Sequence, residues 1–236
     1  MPFRSDVTVE LVKSSASDAD VLFAARVSTL GEQSLEELQK DPERSKGLIN
    51  YLMRDRHGSP FEHNSMTFFI SAPIFVFREF MRHRVGWSYN EESGRYRELQ
   101  PVFYVPDESR KLVQEGRPGK YVFVDGSPSQ HATVRSVLED SYQQAYAAYQ
   151  KLLAEGVARE VARSVLPVGL YSSMYATCNA RSLMHFLGLR TQHELAKVPS
   201  FPQREIEMVG EKMEAEWAKL MPLTYAAFNA NGRVAP

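Results

Sequence analysis

The sequence predicts a single α+β domain. Segments with the twofold periodicity of strands alternate with segments of helical periodicity, and they do not follow the regular order of βαβ units. The chain has 236 residues, of which 43% are hydrophobic and 24% are charged. A chain of this size and composition can bury one large core. We therefore expect residues 1–236 to form one compact domain.

The elements of the first third of the chain follow from short apolar patterns. Ser17 and Asp18 are suited to cap a helix that runs to about Val27. Two further helices precede the next strand. The predicted elements in order are a strand at VTVELV (7–12), the helix to Val27, helices at SLEELQ (34–39) and PERSKGLINYLMRD (42–55), and a strand at MTFFISA (66–72).

The rest of the chain begins with Pro73, whose missing amide costs nothing in the first turn of a helix. Gly156 and Pro167 are suited to end later helices. The predicted elements are helices at IFVFREFMRHR (74–84), about 130–153, VAREVARSVL (157–166), ARSLMHFLGLR (180–190) and about 203–220, and strands within LQPVFYVPD (99–107), GKYVFVD (119–125) and YSSMYATCN (171–179).

Charge and composition exclude several classes of protein. The formal net charge of −1 gives no overall field to attract DNA or an acidic membrane. The longest mostly apolar stretch, residues 68–77, is too short to cross a bilayer, and MPFRSDVTVE lacks the apolar core of a secretory signal. A single cysteine fits a reducing compartment. We expect a cytoplasmic protein that binds a small anionic ligand, but neither nucleic acid nor membrane.

The most informative segment is RHRVGWSYNEESGRYREL, residues 82–99. Arginines, carboxylates, hydroxyls and an amide crowd together directly behind an apolar stretch, and a core could not bury them without ligands. If the helix continues to residue 84, Arg78 and Arg82 share one face and Arg84 points elsewhere, so two ligands could be held. The alternative is a capped helix end with surface ion pairs.

Several blocks of this sequence resemble the flavin-dependent thymidylate synthases. Arg-His-Arg followed by Ser-Tyr-Asn-Glu and then Ser-Gly-Arg-Tyr is similar to the signature of that family. The other similar blocks follow in the family's order around it. They are AARVS (24–28), HGSPFEH (57–63), APIFVFREFMRHR (72–84), REVARSVLP (159–167) and NARSLMHFLGLR (179–190).

The resemblance implies an enzyme that methylates dUMP at C5. It implies 5,10-methylenetetrahydrofolate as the carbon donor, NADPH as the reductant of bound FAD, and no cysteine nucleophile. The flavin carries the redox chemistry, and the protein supplies binding, orientation and electrostatics. The resemblance further implies a homotetramer with active sites shared between subunits, and a protomer with a central antiparallel sheet flanked by helices.

The resemblance also assigns roles to individual residues. Arg82 and Arg190 are expected to act in catalysis, with Arg82 between flavin and nucleotide and Arg190 against the uracil. The residues assigned to flavin are Ser28, His57, Ser59, Glu62, Arg82, His83, Arg84, Asn90, Glu91, Asn179, Arg181 and His185. The residues assigned to the nucleotide are Glu79, Arg82, Glu91, Ser93, Gly94, Arg95, Arg163 and Arg190.

Other interpretations remain open for some of these residues. Cys178 could be compared with the nucleophile of conventional thymidylate synthases, but its apolar surroundings favour a buried structural thiol. His57 and His63 lack the further ligands of a metal site, so none is expected. Arg163 could pair with Glu160, three residues earlier. His185 could serve packing alone.

Two departures from the family pattern affect the site. Eight residues instead of seven separate the Arg-His-Arg triplet from Ser93, and either Gly86 or Trp87 could accommodate the extra one. Glu79 stands where glutamine is common in the family. The whole chain could also be a non-catalytic nucleotide or flavin module, or a nucleic-acid-binding protein that stacks bases on aromatic residues.

Overall fold

The structure, a computed structural model, describes residues 1–30, 42–117 and 120–236. The helix predicted at residues 34–39 lies outside the described residues. The strands are β1 (Phe3–Arg4), β2 (Thr8–Ser15), β3 (Ser65–Pro73), β4 (Trp87–Glu91), β5 (Phe103–Tyr104), β6 (Val113–Arg117), β7 (Lys120–Val124) and β8 (Tyr171–Cys178). The helices are α1 (Asp18–Leu30), α2 (Pro42–Arg54), α3 (Ile74–Phe80), α4 (Pro128–Ala154), α5 (Arg159–Ala162), α6 (Ala180–Arg190), α7 (Arg204–Leu220) and α8 (Pro222–Ala230), with 3₁₀ turns at Ser59–Glu62 and Arg163–Val165.

The predicted α+β class with an antiparallel sheet is confirmed. Four strands form this sheet in the order β2-β3-β8-β4, so strands distant in sequence are neighbours in space. Thr67 of β3 and Thr177 of β8 face each other with their hydroxyl oxygens 2.9 Å apart. Two smaller pairings join β1 to β5 in parallel and β6 to β7 in an antiparallel hairpin.

The chain divides into two compact units, and each is built from three segments of the sequence. The first unit contains residues 1–6, 71–78 and 91–173. Its core includes Phe103 and Tyr142, whose rings stack with centroids 4.7 Å apart. Tyr142 belongs to α4, which begins with a capping box between Ser127 and Gln130.

The second unit contains residues 7–70, 79–90 and 174–236. Helix α6 is buried over most of its length, and Trp217 of α7 is fully buried. Helix α8 was not predicted from the sequence. Its start is capped by Asp18 of α1, whose carboxylate accepts hydrogen bonds from the backbone amides of Leu223 and Thr224 at 2.9 Å.

Two predicted helices are shorter than expected. The helix predicted over residues 74–84 ends at Phe80, and Pro73 closes β3 instead of opening the helix. The common face predicted for Arg78 and Arg82 is therefore wrong. The helix predicted over residues 157–166 is interrupted at Arg163, where α5 gives way to a 3₁₀ turn.

Candidate active site

A cavity of about 460 Å³ opens in the second unit. Its volume falls within the range of small-molecule sites. Six residues that the resemblance assigns to flavin line it together, although they come from three separate sequence segments. The lining residues are Glu62, His83, Arg84, Val85, Gly86, Trp87, Asn179, Arg181, Ser182 and His185.

The Arg-His-Arg segment lies on a turn that follows α3. The Tyr89 hydroxyl donates to the carbonyl oxygen of His83 at 2.6 Å, and the carbonyl oxygen of Phe80 lies 3.3 Å from it. Phe80 is the last residue of α3 and His83 lies three residues beyond it, so Tyr89 joins the end of the helix to the turn that follows. The Phe80 ring packs edge-on against the stacked rings of Trp87 and Tyr89, and also contacts Phe186.

The next turn, residues 84–87, depends on Gly86. Its φ of +69° lies in the left-handed region, and a Cβ there would stand 2.1 Å from Ser182 Oγ. The same Ser182 hydroxyl donates to the carbonyl oxygen of Val85 at 2.9 Å. Val85 is 90% exposed at the edge of the cavity. Gly86 therefore makes the turn, while Trp87 already belongs to β4.

Another part of the cavity wall comes from the start of α6. Asn179 caps this helix by accepting a hydrogen bond from the Ser182 amide at 2.9 Å. Arg181 makes a 2.5 Å ion pair with Glu62 and donates from Nε to the carbonyl oxygen of Pro236 at 2.6 Å. The wall is thus tied both to the 3₁₀ turn at residues 59–62 and to residue 236.

His57 and Ser59 lie beside this wall without lining the cavity. They flank Gly58, which stands against the Arg181 guanidinium. The His57 ring stacks on Tyr51 with centroids 5.6 Å apart. Ser59 opens the 3₁₀ turn at residues 59–62.

Arg190 lies at the end of α6 between a carboxylate and an imidazole. Its Nη1 group is paired with Glu79, and its Nε–H donates to His83 Nε2 at 3.0 Å. Burial, aided by Arg190 and His185, lowers the pKa of His83 to about 4. Desolvation of the imidazole, together with Arg181 and Arg56, also lowers the pKa of His185, although the residue as a whole is exposed. Both imidazoles are therefore favoured in the neutral form at neutral pH.

The two outer arginines of the triplet are exposed. Neither Arg82 nor Arg84 has a side-chain hydrogen bond or ion pair with another residue that the structure describes. Asn90 is exposed on β4. Ser28 is exposed in the last turn of α1, where its hydroxyl donates to the carbonyl oxygen of Ala25 at 3.1 Å. Arg82, Asn90 and Ser28 are not among the residues that line the cavity.

The first unit holds a second group of predicted residues, all assigned to the nucleotide. Gly94 is buried, and a Cβ at this position would lie 2.8 Å from Leu99 Cδ1 and 3.2 Å from Arg163 Cδ. The absence of a side chain thus allows Arg163 to approach the loop backbone. The Arg95 amide donates to Ser93 Oγ at 3.3 Å, which holds the loop in a tight turn.

The charged side chains of this second group are only weakly paired. Arg95 pairs with Glu160 at 3.0 Å, with both side chains 55% exposed. Glu160 therefore bonds to Arg95 and not to Arg163, the partner considered from sequence. Desolvation of the carboxyl raises the pKa of Glu91, although the residue as a whole is exposed, and the Ser172 hydroxyl and Arg163 oppose that shift. Exposed ion pairs of this kind contribute little to the stability of the fold. A ligand anion can therefore readily replace Glu160 as the partner of Arg95.

Cys178 is buried, as predicted. Its side chain is a free thiol at the end of β8, and burial raises its pKa well above the ordinary value. A thiol in this state is a poor nucleophile. In the part of the chain that the structure describes, no group of three or more His, Cys, Asp or Glu side chains is placed to hold a metal ion.

Sequence reasoning missed four residues of the cavity wall, namely Val85, Gly86, Trp87 and Ser182. The extra residue between the Arg-His-Arg triplet and Ser93 is the sequence feature that could have indicated Val85, Gly86 and Trp87. Ser182 could have been found from Asn179, because an N-cap side chain bonds to the amide three residues later.

Comparison with known proteins identifies the family. The family model described as "Thymidylate synthase complementing protein" matches residues 10–223. A flavin-dependent thymidylate synthase of Streptomyces coelicolor is 88% identical over 233 residues, covering 99% of this chain and 95% of that protein. One of Tropheryma whipplei is 58% identical over 235 residues, covering 99% and 97%.

Solved structures agree with this similarity. The UMP/dUMP methylase PolB of Streptomyces cacaoi bound with 5-Br dUMP has a TM-score of 0.94 and 59% identity, covering 100% of both chains. With 5-Br UMP bound, its TM-score is 0.92 at 58% identity, covering 100% of this chain and 99% of that one. Fold and sequence similarity thus define a nucleotide-methylating enzyme of α+β class. The chain belongs to the flavin-dependent thymidylate synthases.

No helix among the described residues has the length and apolar content needed to cross a membrane.

Proposed function

We propose that this enzyme transfers a one-carbon unit from 5,10-methylenetetrahydrofolate to C5 of dUMP, with NADPH reducing bound FAD. One observation carries the proposal. Six of the twelve residues that the family resemblance assigns to flavin line one cavity, although they come from three segments of the sequence. Burial of Cys178 is consistent with a reaction that needs no thiol nucleophile.

The lining residues suit a flavin. Arg84, Arg181 and the neutral imidazoles of His83 and His185 offer hydrogen-bond donors for phosphate or ring oxygens. Asn179 completes this polar set, which sits beside the aromatic ring of Trp87. Bound flavin supplies the redox chemistry. We assign Ser28, His57, Ser59, Asn90 and Glu91 to the outer contacts of the same cofactor.

The nucleotide is assigned to the remaining residues. Ser93, Gly94, Arg95 and Arg163 combine an open loop backbone with two guanidinium groups, which suits a phosphate. Arg82 and Arg190 act on the pyrimidine, where guanidinium groups stabilise the negative charge that develops on the carbonyl oxygens during attack by C5. Glu91 completes the assigned set, and Glu79 belongs to it through Arg190, with which its carboxylate is paired.

We further propose the assembly and location of the enzyme. The two units alternate along the chain, which supports their acting as one catalytic domain over residues 1–236. The active form is a homotetramer in the cytoplasm with active sites shared between subunits. Mass measurement at working concentration tests the tetramer.

A spectroscopic assay tests the proposed function. The purified protein should be yellow, NADPH should bleach the flavin absorbance, and dUMP with methylenetetrahydrofolate should restore it while dTMP forms. Omission of dUMP is the control. A protein that binds nucleotide and flavin but forms no dTMP would be a non-catalytic module instead.

UMP is a second candidate substrate. The structurally similar methylase of Streptomyces cacaoi is described as acting on both UMP and dUMP. The same assay with UMP in place of dUMP should then form 5-methyl-UMP. Equal rates with the two nucleotides would indicate that the site ignores the 2′-hydroxyl group, and absence of product from UMP would restrict the enzyme to dUMP.

A further inference from the structure

The orientation of the Arg190 guanidinium is fixed from two sides. Its Nη1 group bonds to the Glu79 carboxylate, and its Nε–H group bonds to His83 Nε2. These two bonds use different edges of the planar group. The Nη2 group has no hydrogen-bond partner among the residues that the structure describes. Arg190 is therefore held in place while one end, with two N–H groups, stays available to a ligand.

The pair of Glu79 and Arg190 is partly shielded from water. The two side chains are 26% and 21% exposed. Charge-assisted hydrogen bonds are stronger than neutral ones, and shielding reduces their screening. His83 accepts a bond from Arg190 because Nε2 carries no proton, so a neutral imidazole is part of the same arrangement. The Glu79 carboxylate also offsets the arginine's charge.

We propose that Glu79 is a positioning residue, which aims Nη2 of Arg190 at the pyrimidine carbonyl groups of the nucleotide. This inference rests on the proposed function of the site. Glu79 then acts through Arg190 and makes no contact with the nucleotide itself. A glutamine at this position would keep one acceptor oxygen for Nη1 but lose the charge.

A double-mutant cycle on the flavin-loaded enzyme tests the proposal. The dissociation constant of dUMP is measured for wild type, Glu79→Ala, Arg190→Ala and the double variant. Each single change should weaken binding by about 10- to 100-fold, the effect of losing a hydrogen bond to a charged group. The double variant should bind dUMP within about twofold of Arg190→Ala alone, because a residue that acts only through Arg190 has nothing left to position.

Two further variants distinguish positioning from a structural role. Glu79→Gln should retain part of the affinity that Glu79→Ala loses. Glu211→Gln, which removes an exposed carboxylate paired with Arg204 on α7, should leave dUMP binding unchanged. Flavin content should stay at the wild-type value in the Glu79 variants, and their melting temperature should fall no further than that of Arg190→Ala. Parallel loss of flavin, stability and affinity would show a structural role and overturn the inference.

The outcomes separate this inference from the proposed function. Wild-type dTMP formation tests the function alone. If Glu79→Ala and Arg190→Ala weaken binding additively, Glu79 contacts the nucleotide directly and the positioning role is refuted. If Arg190→Ala binds dUMP as tightly as wild type, Arg190 does not meet the nucleotide, and the inference fails even in an enzyme that makes dTMP.

Discussion

His83 shows how burial and a neighbouring charge select one protonation state. Its imidazole packs edge-on against Phe186, with centroids 4.9 Å apart, and accepts a hydrogen bond from Arg190. A proton on Nε2 would remove this bond and place two cations side by side. The folded enzyme therefore resists protonation of His83 until the pH approaches about 4.

A dependence of stability on pH follows from this shift. The pKa of His83 falls from 6.5 to about 4 on folding, so between these values the unfolded chain binds more protons. His83 therefore reduces stability as the pH falls through this window. His83→Asn should lose less free energy of unfolding between pH 7 and pH 5 than wild type, as measured by urea denaturation. The same loss in both proteins would contradict the assignment.

Arg82 represents the opposite case, a charged residue that contributes little to the fold. It is exposed and has no side-chain partner among the described residues. Arg82→Ala should change the free energy of unfolding by less than about 0.5 kcal/mol. We expect it to abolish dTMP formation, assayed together with urea denaturation. Arg135→Ala on the surface of α4 is the control, and near-normal turnover of Arg82→Ala would refute its catalytic role.

At the scale of elements, the end of α3 determines how the Arg-His-Arg segment is presented. Helical periodicity continues in the sequence to residue 84, and the prediction followed it. The helix instead ends at Phe80, because Tyr89 bonds to the His83 carbonyl and Ser182 to the Val85 carbonyl, both in the turn that follows the helix. A local pattern cannot reveal contacts from another strand and another helix.

Removal of the Tyr89 hydroxyl should loosen this turn. Tyr89→Phe keeps the ring stacked on Trp87 but loses the 2.6 Å bond to the His83 carbonyl oxygen. We expect a loss of about 1 kcal/mol in stability. Flavin should also dissociate faster, as followed by its fluorescence. Tyr225→Phe is the control, since the Tyr225 hydroxyl has no hydrogen bond to any residue the structure describes. Unchanged flavin release would exclude a role for Tyr89 in presenting the triplet.

Elements with strong local signals were predicted well. Strands β2, β3 and β8, and helices α2, α6 and α7, lie within a few residues of their expected bounds. Helix α8 was missed because its cap, Asp18, lies about two hundred residues away. For the site, the resemblance supplied the residues, and the structure brought six of them into one cavity. The pairing of Glu79 with Arg190 depends on tertiary packing and could not be derived from spacing.

At the scale of the whole molecule, both units are assembled from interleaved segments. The chain passes between them at residues 6–7, 70–71, 78–79, 90–91 and 173–174. No continuous fragment therefore consists of one complete unit alone. Strand β8 contains the crossing at residues 173–174. Residues 171–173 of this strand belong to the first unit, and the rest of the strand leads to Asn179 in the cavity wall.

A buried ion pair fixes the end of the described chain within the second unit. Arg233, with a side chain 1% exposed, pairs at 2.6 Å with Glu214 of α7, which is 12% exposed. Arg233→Met leaves Glu214 buried without a counter-charge and should cost about 3–5 kcal/mol of stability in urea denaturation. Adding Glu214→Leu should restore most of it. A single variant as stable as wild type would show that the pair is dispensable.

Burial of Cys178 has a practical consequence for the study of this enzyme in solution. Because the sequence contains one cysteine, and that thiol is buried, thiol-directed dyes should leave the wild-type protein unlabelled. A cysteine introduced at Val85, which is 90% exposed at the cavity edge, would then accept a single fluorophore. Ligand binding would then be measured from the fluorescence of that single label, and Cys178 would not have to be replaced first.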